Sequence, residues 1–561
     1  MESKVTRATN AAAAALGLLP KDVPAAHTSP NYPLFLKENS LSSDELKKQR
    51  EKDMSGYPLV SIILFAEGYD ETDISNTVLS LTTQTYRNTE IIIAAGLACS
   101  VCDRFSGFGN VRTIISDGSS KKLIESCEAV LRGKYVMFLK AGDRLNPEAI
   151  FLMTVRAFEN GNDLVYADND HHDEFGNRVD PRLKPSFSPV TENCFDYIGR
   201  PLLVSRKLHA SALGFEGAED IEYHRYVIRC CMRCKRPSNI PRVLCTCRQS
   251  EKFIEQQSIP VPTGLMSCLG LFVGSYRLFQ ERGGKRSVSV VIAGASDTKE
   301  LMRCINSIDT RNVCFDLRII ISVRKDIGTE LRKYLDALKR NKAAKTVYSE
   351  ESSMPALLNA GAAEAFSEYL IFLSPDAEVL SFDFAESLLA PLMIEGVGIC
   401  GGKLIDPDGM IMHSGTVIGL DGSFGSPYEG TMDDMSDLRK CFYTALQRNV
   451  TAVSGSFMAV SSEDFLNIGL FDETLSAVGW DTEFCIRAAR KGLSAVFTPY
   501  ARARMYTANK KLADADEMNK ERFMDEFREL MRSGDPYCNP NYDMRYTYPQ
   551  IAIRGADIDK S

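Results

Sequence analysis

The sequence lacks any apolar run approaching the ~20 residues that a bilayer-spanning helix needs, which excludes a chain built from membrane-spanning helices. It also lacks a basic excess, since 66 Lys and Arg stand against 74 Asp and Glu. A net charge of -8 argues against a dedicated nucleic-acid binder, whose phosphate-facing surface must be positive. Tryptophan is nearly absent, Trp480 being the only one. A strong export signal is missing too. The alanine-rich stretch from Thr9 to Pro20 is apolar only briefly and follows Glu2, Lys4 and Arg7, so it reads as a short helix or a loose leader. These absences lead to the expectation of a cytoplasmic protein, with peripheral association at the inner face of the membrane left open. An adhesin or lectin fits poorly with them.

What is present is ordinary in composition: 44% hydrophobic and 25% charged, the balance of a globular protein. At 561 residues the chain is too long for one core. Its 16 cysteines include many inside apolar runs, such as Cys304 and Cys485, where reduced, buried thiols are the natural reading. One group, Cys230, Cys231 and Cys234 followed by Cys245 and Cys247, leaves a zinc site open, although the spacing matches no usual knuckle.

The chain repeats itself. The buried-strand runs PLVSIIL (58–64) and SVSVVI (287–292) each precede a polar turn, an amphipathic helix and a second apolar strand, EIIIAA or LRIIIS. Farther on, KYVMFLKAGDRL echoes EYLIFLSPDAEVL, and LLVSRKLHASALGFEGAEDIEYHRYVIR echoes FMAVSSEDFLNIGLFDETLSAVGWDTEFCIRAA. Strand, helix and strand in succession mean parallel βαβ units with right-handed crossovers. The repeat is therefore a whole α/β domain, present twice. The basic segment ERGGKR suggests a boundary near residue 281, and the charged SSDELKKQREKDM and DEMNKERFMDEFRELMRSG read as helical extensions. The expected division is a leader and helical lead-in (1–56), a first domain (57–280), a second domain (281–545) and a tail (546–561).

In a doubly wound sheet, ligands bind beyond the carboxyl ends of the strands. Asp376 follows the strand run YLIFL almost directly. A carboxylate there can hold a divalent cation that bridges diphosphate oxygens; it can equally cap a turn. Asp481 and Glu483 stand at the start of a helix in GWDTEFCIRAARKG, and Glu219, Asp220 and Glu222 stand at the same point of the first copy. A carboxylate at a helix start satisfies the helix dipole, or it acts as a general base toward a hydroxyl.

These residues carry a family resemblance. Both halves resemble the GT-A fold of family 2 glycosyltransferases, especially two-domain bacterial proteins of the rhamnosyltransferase type. In the first half YPLVSIILFAEG, SLTTQTYRNTEIII, LVYADNDHHDEFGNRVDPRLKPSFSP and FDYIGRPLLVSRKL carry the likeness. In the second, LIDPDGMIMHSGTVIGLDG, NVTAVSGSFMAV, GLFDETL and GWDTEFCIRAARKGLSAVFTPYA carry it in order, so that it spans roughly residues 30 to 545. The resemblance implies inverting, metal-assisted transfer of a sugar from a nucleotide-sugar donor to a hydroxyl of a glycan or lipid-linked acceptor, in the building of a surface polysaccharide. It implies Mn or Mg as the cation, Asp376 as the metal aspartate, Asp481 as the base and Asp220 as its counterpart. Asn359, His413, Trp480 and Glu483 in the second half are the implied donor- or acceptor-binding residues, with Glu219, Asp143 and Lys140 in the first.

The sequence departs from that pattern at definite places. No aspartate follows the second strand of either half, where IIIAAGLAC and IIISVRKD stand. The metal motif of the first half reads LKAGDRL, with Lys140 and Gly142 in place of aspartates and Asp143 next to them. Lys140 could serve as a point charge beside a diphosphate. No histidine follows the last strand in YARARMYTANK. His413 could line the acceptor side or be structural, and Trp480 could stack on a sugar face or pack. Two functions compete on this reading: a transferase whose second half is catalytic, and a degenerate member that binds glycan or scaffolds an assembly complex.

Overall fold

The computed structural model describes residues 29–96, 105, 108–116, 119–173, 175–217, 219–248, 259–281, 286–308, 315–420, 424–435, 437–475, 479–506 and 527–553. They fall into two compact units. The first contains the described residues of Ala25–Pro260, Cys538–Asp543 and Gln550–Ser561; the second contains those of Val261–Tyr537 and Met544–Pro549. Thr9 to Pro20 and most of ERGGKR lie outside the described residues. So does the start of the C-terminal helical run, of which 527–533 are helical up to Gly534, whose φ of 79° ends the helix.

The strands of the first unit are β1 (Val60–Phe65), β2 (Thr89–Ala95), β3 (Val111–Ile115), β4 (Tyr135–Lys140), β5 (Arg144–Leu145), β6 (Leu164–His172), β7 (Arg178–Arg182), β8 (Leu202–Ser205) and β9 (Pro237–Arg248). Every residue of β1, β2 and β4 is buried, as expected of parallel strands covered on both faces. The sheet order is β3-β2-β1-β4-β8-β6-β9-β5, with β7 on β6. Strand β8 runs antiparallel to both β4 and β6. Helix Glu71–Thr82 makes the crossover from β1 to β2, its N-terminus capped by Asp70. Helix Ser43–Glu51, the charged lead-in, begins with a capping box between Ser42 and Glu45.

The second unit opens with a hairpin, β10 (Leu265–Leu269) and β11 (Tyr276–Gln280). Its large sheet uses β12 (Arg286–Ala293), β13 (Phe315–Arg324), β14 (Lys345–Ser349), β15 (Tyr369–Leu373), β16 (Ala377–Val379), β17 (Val397–Ile405) and β18 (Ile411–His413). After the small pair β19 (Val417–Ile418) and β20 (Phe424–Gly425), it is completed by β21 (Arg448–Val450), β22 (Phe457–Ser461) and β23 (Ser494–Met505). The order is β14-β13-β12-β15-β22-β17-β23-β16, with β18 on β17 and β21 on β23. With β21 as an addition, this repeats the order of the first sheet, including the antiparallel β22 between β15 and β17. The duplication read from the sequence is thus a duplication of topology.

Each core follows from that plan. In the first unit Ile62, Leu64, Ile91, Ile93, Met137 and Leu139 pack against Ile74, Val78 and Ile150 from the covering helices. In the second, Val291, Phe372, Met458 and Val460 pack against Phe465, Phe471 and Phe484. Among the described residues, no helix is long and apolar enough to cross a membrane.

Candidate functional site

The carboxyl end of β15 in the second unit gathers three of the residues singled out from the sequence. Asp376 lies in the turn between β15 and β16, nearly buried, and its Oδ1 accepts a hydrogen bond of 2.5 Å from Ser374 Oγ. The Ser374 amide in turn donates to the Ser456 carbonyl at 2.9 Å. Ser456 ends the turn Ser454-Gly455-Ser456 that feeds β22. Its first two amides point at side chains: Ser454 N donates to His413 Nε2 at 3.0 Å, and Gly455 N donates to Asp481 Oδ2 at 2.9 Å. One three-residue turn therefore ties together β18, the end of β15 and the start of helix Trp480–Arg490.

Asp481 is the second residue of that helix, which follows Gly479 in the left-handed region at φ 86°. Its Oδ1 also accepts from the Thr482 amide at 2.8 Å. Burial pushes the Asp481 carboxyl above the ordinary aspartate range, while the backbone amides oppose the shift. His413 is buried, and burial together with the Arg448 charge lowers its pKa to about 3. It is a neutral imidazole whose Nε2 lone pair is taken by Ser454.

The other candidates of the second unit have structural partners. Trp480 packs edge-on against Phe471 with ring centroids 4.8 Å apart, and it lies so close to Gly455 that a Cβ there would come within 2.1 Å of its ring. Of its two readings, packing is the one its surroundings support. Asn359 donates to the Phe471 carbonyl and to Glu473 Oε1, both at 2.9 Å, and accepts from the Phe471 amide. Glu483 pairs with Arg487, which also binds the carbonyls of Ile468 and Leu470. Asn359 and Glu483 thus clamp the GLFDETL loop that leads into Gly479.

The same position in the first unit is chemically different. The turn after β4 closes with Asp143 N donating to the Lys140 carbonyl, as Ala377 N does to Ser374 after β15. By that register Lys140 stands where Ser374 stands, and Gly142 stands where Asp376 stands. Pairing of β4 with β8 and of β15 with β22 likewise sets Arg200 at the place of Ser456. Both serines are thus replaced by long cations. Lys140 Nζ lies 2.5 Å from Asp220 Oδ1, and Arg200 Nε donates to Asp143 Oδ2 at 2.6 Å, with its Nη1 3.8 Å from Asp220. Arg248 pairs with Asp73, donates its amide to Asp143 at 3.3 Å and covers the Tyr69 ring at 5.6 Å. Burial and the nearby Arg200 guanidinium pull the Lys140 ammonium below the ordinary lysine range, against the attraction of Asp220. Glu219, exposed ahead of Asp220, accepts from Ser120 Oγ at 3.2 Å.

Sequence reasoning named Lys140, Asp143 and Asp220 but missed Arg200, Arg248 and Asp73. Nothing local marks them, because each meets its partner across 57, 105 or 175 positions. The Ser454-Gly455-Ser456 turn lies within NVTAVSGSFMAV, where nothing local marks its role. The cysteine group does not assemble into a ligand set among the described residues. Cys245 and Cys247 approach to 3.7 Å within β9, and burial pushes the Cys230 thiol up to about 12.

The sheet order, the antiparallel strand inside it and the carboxylates beyond its carboxyl ends give both units one and the same α/β plan. The chain is 25% identical over 533 residues to the O-antigen biosynthesis protein RfbC of Myxococcus xanthus, covering 88% of this chain and 41% of that protein. It is 24% identical over 537 residues to the uncharacterized protein y4gI of Sinorhizobium fredii (strain NBRC 101917 / NGR234), covering 86% and 57% respectively. The chain thus spans about half the length of the curated relatives it matches. No protein-family model matches it. Among solved structures it is similar to GalNAc-T7 with UDP, GalNAc and Mn2+, at 17% identity over 46% of this chain and 51% of that one, with a TM-score of 0.36. S. aureus TarS 1-349 in complex with UDP-GlcNAc is similar at 13% identity over 34% and 59%, with a TM-score of 0.29.

Proposed function

We propose that the protein is a glycosyltransferase of surface-polysaccharide assembly, with transfer carried out by the second unit. The observation that carries this reading is the Ser454-Gly455-Ser456 turn, which aims one amide at Asp481 and links through Ser374 to Asp376. Asp481 acts as general base toward an acceptor hydroxyl. Its half-buried carboxylate, held above the ordinary aspartate range, is a better proton acceptor than a free one, and the Gly455 and Thr482 amides keep it oriented. Single displacement on the sugar then inverts the anomeric carbon, and the leaving group is a nucleoside diphosphate.

Asp376 suits a hard divalent cation, Mn or Mg, as one carboxylate among ligands otherwise supplied by diphosphate and water. A bound cation supplies charge neutralisation to the leaving diphosphate. Ser374 orients the Asp376 carboxylate for that role. The partners on this reading are a nucleotide-sugar donor and a glycan or lipid-linked acceptor, with a cytoplasmic site of action at the inner face of the membrane.

A second reading, glycan binding or scaffolding without transfer, is favoured in the first unit by the Lys140–Asp220 pair, which occupies the carboxylate in the position of the base. Titration of the full chain with UDP-sugars, with and without Mn, combined with donor hydrolysis, tests the two. Transfer or hydrolysis that vanishes in Asp481→Asn and persists in Asp220→Asn supports the first reading. No donor binding and no turnover at all favours the second, whereas turnover kept in both variants would overturn Asp481 as the base.

A further inference from the structure

One turn along helix Asp220–Cys231 from Asp220, on the same face, lies His224. It faces Glu192, in helix Pro189–Cys194, and Asp196 just beyond that helix. One ligand atom from each of the three comes within 4.8 Å of the other two. That is the span of a first coordination shell with metal–ligand bonds of about 2.1 Å. Glu192 and His224 are each only 1% exposed.

The second observation is the Glu192 carboxylate itself. Its Oε2 accepts from the Ile198 amide at 3.0 Å, but its Oε1, fully buried, carries no hydrogen bond and points to His224 Nε2 at 3.5 Å. An unsatisfied buried carboxylate oxygen costs free energy that a bound cation would offset. The nearest ammonium, Lys184, donates to the Ile198 and Arg200 carbonyls instead. Asp196 is half-buried and gives the group an opening to solvent. The His224 ring is already oriented by its Nε2 contact to the Glu192 carbonyl at 2.7 Å.

We infer that Glu192, Asp196 and His224 form a binding site for a divalent transition-metal ion in the first unit. Two carboxylates and one imidazole balance the charge of such an ion, and the mixed oxygen and nitrogen set suits zinc or manganese better than magnesium or calcium. The ion has a structural task. It ties the 192–200 segment, which delivers Arg200 to Asp143 and Asp220, to the helix that presents Asp220. It is independent of the transferase reading, which concerns the second unit.

The test uses the full chain carrying Asp376→Asn, so that the other proposed cation position is removed. After chelator treatment, zinc chloride is titrated calorimetrically and retained metal is counted by elemental analysis. The expected result is one zinc per chain, with affinity at least ~10-fold weaker in Glu192→Gln and in His224→Gln. Asp196→Asn, at a half-exposed position, provides the same reading should a buried variant fail to fold. No zinc uptake by the Asp376→Asn chain, or uptake unchanged in Glu192→Gln and Asp196→Asn, would overturn the site. The Asp376→Asn background leaves the reading of the second unit untouched by either outcome.

Discussion

Lys140 Nζ lies 2.5 Å from Asp220 Oδ1 at the carboxyl end of the first sheet, while the corresponding position of the second sheet holds Ser374, whose hydroxyl turns to Asp376. The two units share a topology and differ in charge at the place where chemistry is expected.

Asp481→Asn keeps the shape of the carboxylate and removes its basicity. Sugar transfer by this variant is expected to fall by ~10²–10⁴-fold, measured as donor consumption with the physiological acceptor fraction. Asp220→Asn, at the equivalent helix start, is expected to lie within about twofold of wild type, because Lys140 already occupies that carboxylate. Equal losses in both variants would assign transfer to both units.

Lys140→Ala removes one ion pair of Asp220 and leaves the Arg200 guanidinium, 3.8 Å away, in place. Because Asp220 is about one-third exposed, the expected loss is roughly 1–2 kcal/mol, less than for a fully buried pair. Chemical denaturation checks it. Donor affinity measured on the same variant decides whether Lys140 also serves as a point charge toward a diphosphate; an unchanged affinity removes that role.

Gly455→Ala places a methyl group against the Trp480 ring. Overpacking at this contact is expected to cost about 1–3 kcal/mol and to swing the Gly455 amide away from Asp481. The variant should therefore lose transfer more steeply than donor binding. Unchanged turnover would mean that the Gly455–Asp481 bond has no positioning role.

Asp168 in the first unit is fully buried and its pKa is raised to about 7 by burial, opposed by the Lys184 amide and by Asn539 of the C-terminal segment. A carboxyl raised in the folded state stabilises it fully below the unfolded value near ~3.9 and loses that contribution as pH rises through about 7. Wild type minus Asp168→Asn should therefore show a stability difference that declines between pH 4 and pH 7 and is flat above. Denaturant midpoints across that range read it directly. A difference that grows with pH would reverse the assigned sign.

The alternation of apolar strands and amphipathic helices, repeated with its echoing motifs, was enough to establish two α/β domains. Hydrophobic periodicity is a local property, and the buried strands β1, β2, β4, β12, β13 and β15 declare themselves within their own residues. Asp376 and Asp481 were legible for the same reason, since each follows directly on a strand or opens a helix. Asn359, Glu483 and Trp480 were legible as positions but not as roles. Their partners in the Ile468–Glu473 stretch come close only once helix Met354–Ala363 and helix Trp480–Arg490 pack on the sheet. The pairing of Arg200 with Asp143 and of Arg248 with Asp73, the shared turn beneath His413 and Asp481, and the meeting of Glu192 with His224 were decided by the tertiary structure alone. In each case the interacting groups sit at the ends of different elements, and only the strand order of the folded sheet brings those ends to one place.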